Sequence, residues 1–161
     1  MILSVSRRTD IPAFYSNWFY QRVKEGFVYV RNPMNIHQIS KVAINTDVVD
    51  CIVFWTKNPK PMLARIDELN QYNYYFQYTI NPYNHTLEQH VPKKDVVINT
   101  FKQLSDKIGE KRMIWRYDPI LFTNDIDINY HVKYFEELAK RLSSYTNRCT
   151  ISFVDYYKKT E

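Results

Sequence analysis

Residues Tyr74-Tyr75-Phe76-Gln77-Tyr78-Thr79-Ile80, closed by Asn81-Pro82-Tyr83, decide the fold. Aromatic and β-branched side chains predict a strand, and Asn-Pro ends it in a turn. The aromatics fall on both faces of that strand. This predicts burial on both sides, the habit of a parallel strand held between helices. Working outward, four more short apolar runs carry the same signature: 2–6, 50–55, 112–117 and 149–154. Each ends in polar residues: Arg7-Arg8-Thr9-Asp10, Thr56-Lys57-Asn58, Asp118-Pro119 and Asp155-Tyr156-Tyr157-Lys158.

Helical patterns fill the gaps. Asp10 and Pro12 announce a helix over 13–25, and Gly26 stops it. Helices are predicted over 60–69, 93–108 and 130–143 from apolar residues recurring at three- and four-residue steps. Segments 27–31 and 39–44, separated by Asn32-Pro33, break the alternation and predict an irregular hairpin-like insertion. Strands alternating with helices predict an α/β fold of repeated βα units on a parallel sheet. Five strands cannot close a barrel, which needs roughly 200 residues or more. The expectation is a partial (β/α) TIM-like barrel, with residues 1–161 forming one α/β domain.

Composition narrows the function. The chain of 161 residues has only 2 Gly, so neither a dinucleotide-binding glycine fingerprint nor a Walker loop can be written in it. The 14 Tyr, 9 Phe and 3 Trp predict an aromatic core and aromatic clefts. A net charge of +5 favours an anionic ligand or nucleic acid, although solvated helix faces explain it as well. Cys51 and Cys149 each fall inside a strand and read as buried free thiols of a reducing compartment. No apolar run approaches the roughly 20 residues of a membrane span, and no secretory leader is recognisable, so a cytoplasmic location is expected.

In a parallel sheet all carboxyl ends gather on one side, where α/β enzymes place their chemistry. That rule nominates Arg7, Arg8, Asp10, Lys57, Asn58, Asn81, Arg116, Asp118 and Asp155 as ligand-binding residues. Arg116 and Asp118, two residues apart on a strand, project to one side and could pair or both face a ligand. Lys57 could serve as a desolvated Schiff-base amine, and Asp10, Asp118 and Asp155 could share a hard cation. His37, His85, His90 and His131 lack zinc spacing, and neither Ser6 nor Ser152 sits in a nucleophile elbow. Catalytic residues cannot be singled out.

Several segments together resemble one family: Ser4-Val5-Ser6-Arg7-Arg8-Thr9-Asp10-Ile11-Pro12, Val53-Phe54-Trp55-Thr56-Lys57-Asn58-Pro59 and Trp115-Arg116-Tyr117-Asp118-Pro119-Ile120. Tyr29-Val30-Arg31-Asn32-Pro33 and Ile151-Ser152-Phe153-Val154-Asp155 add to the likeness. The chain resembles the uncharacterised bacterial and archaeal family catalogued as domain of unknown function 1848. The resemblance implies that fuller members continue beyond this chain, with a cysteine cluster similar to that of radical S-adenosylmethionine enzymes. It thereby implies a [4Fe–4S] cluster and S-adenosylmethionine for those members. No trio of clustered cysteines exists here, so no cofactor is expected on this chain alone.

Two readings follow. The chain supplies the binding face of a radical-S-adenosylmethionine-like enzyme, or it is a non-redox module that binds small anions or nucleic acid. An open sheet edge also leaves room for self-association.

Overall fold

The computed structural model describes residues 1–5 and 8–154. Seven strands and four α-helices occur there. In chain order they are β1 (Ile2–Val5), α1 (Ile11–Phe14), α2 (Ser16–Glu25), β2 (Phe27–Arg31), β3 (Ile39–Ala43), β4 (Cys51–Thr56), β5 (Tyr74–Thr79), α3 (Lys94–Ile108), β6 (Met113–Ile120), α4 (Ile128–Leu142) and β7 (Cys149–Phe153). β1, β4, β5, β6 and β7 form one parallel sheet, and the strands lie side by side in the order in which the chain makes them. β2 and β3 form a separate antiparallel ribbon, so the irregular insertion is a regular hairpin.

The helices lie on one face of the large sheet. Phe54, Tyr78 and Trp115 share that face, since Thr56 pairs with Tyr78 and Tyr78 with Trp115. Phe19 of α2 meets Phe54 edge-on at 5.3 Å, Phe101 of α3 meets Tyr78 at 5.3 Å, and Phe135 of α4 stacks on Trp115 at 4.9 Å. Monotonic strand order with helices on one side is the winding of a (β/α) barrel wall rather than of a doubly wound sheet. The described strands do not close into a barrel.

This winding overturns one expectation. Tyr74, Phe76 and Tyr78 are buried, but Tyr75, Gln77 and Thr79 on the opposite face of β5 are only half-buried. All the helices went to one side, so the other face of the sheet stays open to a ligand.

Local chemistry explains the helix ends. The Asp10 carboxylate accepts the Ala13 N–H at 3.0 Å and caps α1, with Pro12 in its first turn. The helix expected over 13–25 is in fact broken at Tyr15 into α1 and α2. Gly26 closes α2 at φ 77°, a left-handed conformation that suits glycine. The helix expected over 60–69 is a 3-10 helix spanning Lys60–Leu69. Pro59 and Pro61 are compatible with either kind of helical first turn, and Met62, Ile66 and Leu69 still bury one face. β6 runs three residues beyond the expected 117, through Pro119, where the Asp118–Pro119 bond is cis. No helix among the described residues is long and apolar enough to cross a membrane.

Candidate functional site

The open face of the sheet gathers its polar groups toward the carboxyl ends of β4, β5, β6 and β7. Trp55 pairs in register with Gln77, Thr79 with Arg116, and Arg116 with Thr150. With side chains alternating along each strand, Trp55, Gln77 and Arg116 project to the same face. The Arg116 guanidinium lies over the Trp55 ring, 4.4 Å from its centroid. Its Nη1 donates to Gln77 Oε1 at 3.1 Å, and its Nη2 pairs with Asp118 Oδ2. Ser152 of β7 donates its hydroxyl to the other oxygen of Asp118.

Both charges are largely withdrawn from water, Arg116 with 14% and Asp118 with 19% of its side chain exposed. Burial draws the Arg116 guanidinium below its ordinary value. A planar fork on an indole face, an amide acceptor and a carboxylate bound by a hydroxyl make a pre-organised bipolar surface.

Asn81 holds this surface in place. Its Nδ2 donates to the Asp118 carbonyl and its Oδ1 accepts the Asp118 N–H, both at 2.9 Å. Asn81 itself is buried and serves the backbone. Beyond Asp118, Tyr83 donates to the Pro119 carbonyl at 2.5 Å and accepts the Leu121 N–H at 3.0 Å. His131 Nε2 lies 2.9 Å from the Leu121 carbonyl, which can only accept, so Nε2 carries the proton. Its Nδ1, 2.8 Å from Tyr117 Oη, then accepts the phenol proton. Burial pushes the Tyr117 phenol far above its ordinary value, consistent with a permanent donor.

Asp10, Lys57, Asn58 and Arg8 lie on the same rim in different roles. The carboxylate of Asp10 accepts the Thr56 hydroxyl at 2.8 Å and the Lys57 N–H at 2.7 Å, besides capping α1. It joins the end of β4 to α1. Lys57 Nζ binds Glu88 Oε1 at 2.7 Å, while Lys94 Nζ contacts Glu88 Oε2 at 3.2 Å and the Asn81 carbonyl. Asn58 shapes the turn after β4: its N–H donates to Thr56 Oγ1 and its Oδ1 accepts from Lys60 N–H. Arg8 is exposed and donates to the Arg31 carbonyl at the outer end of β2. Arg7 and Asp155 lie outside the described residues.

Trp55, Gln77, Ser152 and Glu88 were not foreseen. Period-2 alternation could have found the first three, because each falls on the strand face that carries Arg116 and Asp118. Glu88 sits in an irregular loop, where no periodicity identifies a buried carboxylate.

The cysteines belong to the other end of the sheet. Cys51 and Cys149 open β4 and β7, on the rim opposite to Asp118. Cys51 is half-buried and Cys149 is exposed, so the buried pair expected from sequence is not what forms. Desolvation still raises both thiols, that of Cys149 to about 11. A raised pKa means little thiolate at neutral pH. Iodoacetamide labelling of Cys149, followed by mass spectrometry, is expected to accelerate about tenfold per pH unit between about pH 8 and pH 10. A plateau below about pH 9 would contradict this.

No group of three His, Cys, Asp or Glu side chains among the described residues is arranged to hold a metal ion. The family model described as Domain of unknown function (DUF1848) matches residues 2–161, and the chain belongs to that family. No curated protein and no solved structure matches it.

Proposed function

We propose that this member of the DUF1848 family is the ligand-binding wall of a (β/α)-barrel enzyme. Its open face takes a small zwitterionic or polar anionic ligand. The observation that supports this reading is the Arg116–Asp118 pair, held against Trp55, Gln77 and Ser152 on a sheet face that no described helix covers. A ligand with both carboxylate and amine can exchange this internal pair for two external ones: carboxylate on Arg116, amine on Asp118. The Trp55 ring gives the apolar remainder a platform.

S-adenosylmethionine has such a methionine moiety, and it accords with the radical-S-adenosylmethionine-like reading. The two cysteines do not fit a [4Fe–4S] cluster, because they number two and stand on the opposite rim. In this reading the chain's own task is binding and orientation, and cluster ligands come from residues outside it. Asn81 and Tyr83 fix the backbone of Asp118 and Pro119, so the carboxylate is presented without loop reorganisation.

Calorimetric titration with S-adenosylmethionine tests the proposal. Saturable binding is expected, weakened by roughly 10- to 100-fold in Arg116→Gln, the loss typical of one charge-assisted contact. Arg116→Lys, which keeps the charge but loses the fork, should fall between. No binding by the wild-type chain at millimolar ligand, or equal binding by Arg116→Gln, would refute the assignment.

A further inference from the structure

At the amino ends of the same strands lies a second concavity of about 580 Å³, on the rim opposite to Asp118. Three cations line it: Lys111 and Arg112 from the turn before β6, and Arg148 from the turn before β7. The backbones of Arg112 and Arg148 are fixed. The Arg148 carbonyl accepts the Trp115 N–H at 3.0 Å, and the Arg148 N–H donates to Thr146 Oγ1, which itself donates to the Met113 carbonyl at 2.7 Å. The Arg112 N–H donates to the Gly109 carbonyl at 3.1 Å, and its guanidinium lies over the Tyr74 ring at 5.1 Å. Arg112 and Arg148 therefore stand at the entrances of neighbouring strands, offset by two residues, because Arg148 directly precedes Cys149, the register partner of Trp115.

Ion pairing separates this rim from the other. At the carboxyl ends Arg116 pairs with Asp118, and Lys57 and Lys94 share the Glu88 carboxylate. Among the described residues, no carboxylate pairs with Lys111, Arg112 or Arg148. Glu110 precedes Lys111 in sequence but forms no ion pair with these cations, and the Asp50 carboxylate is bound to the terminal amine of Met1 at 2.6 Å. Three cations around one concavity repel one another, and an anion bound among them offsets that repulsion.

The concavity offers more than charge. Tyr75, half-buried on the open face, presents a ring, and Asn73 and Asn147 bring amides that can both donate and accept. Its volume is in the range of small-ligand sites.

We infer that this basin binds a phosphorylated ligand of mononucleotide size: the phosphate on Arg112, Arg148 and Lys111, the base against Tyr75, and the base edge read by the asparagines. The assignment is independent of the ligand proposed for the Arg116–Asp118 face.

Adenosine monophosphate, adenosine and inorganic phosphate, titrated separately by calorimetry at low salt, test it. The monophosphate should bind, and at least tenfold more tightly than either fragment. The double variant Arg112→Gln/Arg148→Gln should weaken it at least tenfold, whereas Lys107→Gln, an exposed charge away from the basin, should leave it unchanged. Cys51 lines the basin, so the monophosphate should also slow alkylation of Cys51 in the unaltered protein, a readout independent of how the variants fold. Absence of binding overturns the inference. So does equal binding of phosphate and monophosphate, or equal binding of an oligonucleotide without a terminal phosphate, which would make the basin a general polyanion surface.

Discussion

Phe54→Ala is expected to destabilise the protein by about 3–5 kcal/mol, the range for truncating a phenylalanine in a close-packed core. Phe54 is fully buried in the middle of β4. It stacks on its register partner Phe76 with centroids 4.6 Å apart and planes 19° from parallel, and it meets Phe19 and Tyr74 edge-on at 5.3 and 6.2 Å. One ring thus ties α2 to β4 and β5. Its removal forfeits the transfer free energy of the ring and several aromatic contacts, and it leaves a cavity that rigid strands on both sides cannot close. A domain of this size should lose roughly 6–20 °C in melting temperature. Urea denaturation gives the free energy directly. A loss below about 1 kcal/mol would show that the helix layer does not depend on this contact. A cycle with Phe19→Ala should reveal coupling of about 0.5–1.5 kcal/mol between the two rings.

The same layer explains what the sequence disclosed and what it hid. All five main strands were legible, because each is a short run rich in aromatic or β-branched residues. The parallel sheet followed from the helices between them. The sidedness of the winding was not legible. Tyr74 and Tyr75 are identical in sequence, yet one is buried beneath helices and the other lines the open face. Only the shared register of Phe54, Tyr78 and Trp115 under three successive helices decides between them. The 3-10 character of Lys60–Leu69 was also hidden, since its apolar spacing of four and three residues is equally helical.

For the site, residue types were legible and roles were not. Arg116 and Asp118 share a strand face as their spacing requires. Asn81 comes from the same class of strand-end polar residues but turns inward to clamp the Asp118 backbone. Nothing in sequence separates an asparagine facing a ligand from one satisfying a buried amide. The buried Glu88 between Lys57 and Lys94 depends on a loop with no period at all.

Asp10 makes that distinction measurable. Its carboxylate accepts from the Ala13 N–H, the Thr56 hydroxyl and the Lys57 N–H, at 3.0, 2.8 and 2.7 Å. It caps α1 and binds both the last residue of β4 and the one that follows it. Asp10→Ala removes both acceptor oxygens, and with them three hydrogen bonds, and orphans two backbone donors, so a loss of about 2–4 kcal/mol is expected, or roughly 5–15 °C in melting temperature. Asp10→Asn keeps one carbonyl oxygen to accept and should lose about half as much. Thr56→Val tests the link from the strand side. It removes one donor with little change of shape, and its effect should shrink in the Asp10→Ala background because the two residues share a bond. The binding readout then separates architecture from recognition. If Asp10 acts only by joining β4 to α1, ligand affinity measured well below the melting temperature survives in Asp10→Asn while Arg116→Gln loses it. Equal losses of affinity in both variants, with Asp10→Asn as stable as the parent, would put the Asp10 carboxylate on the ligand instead.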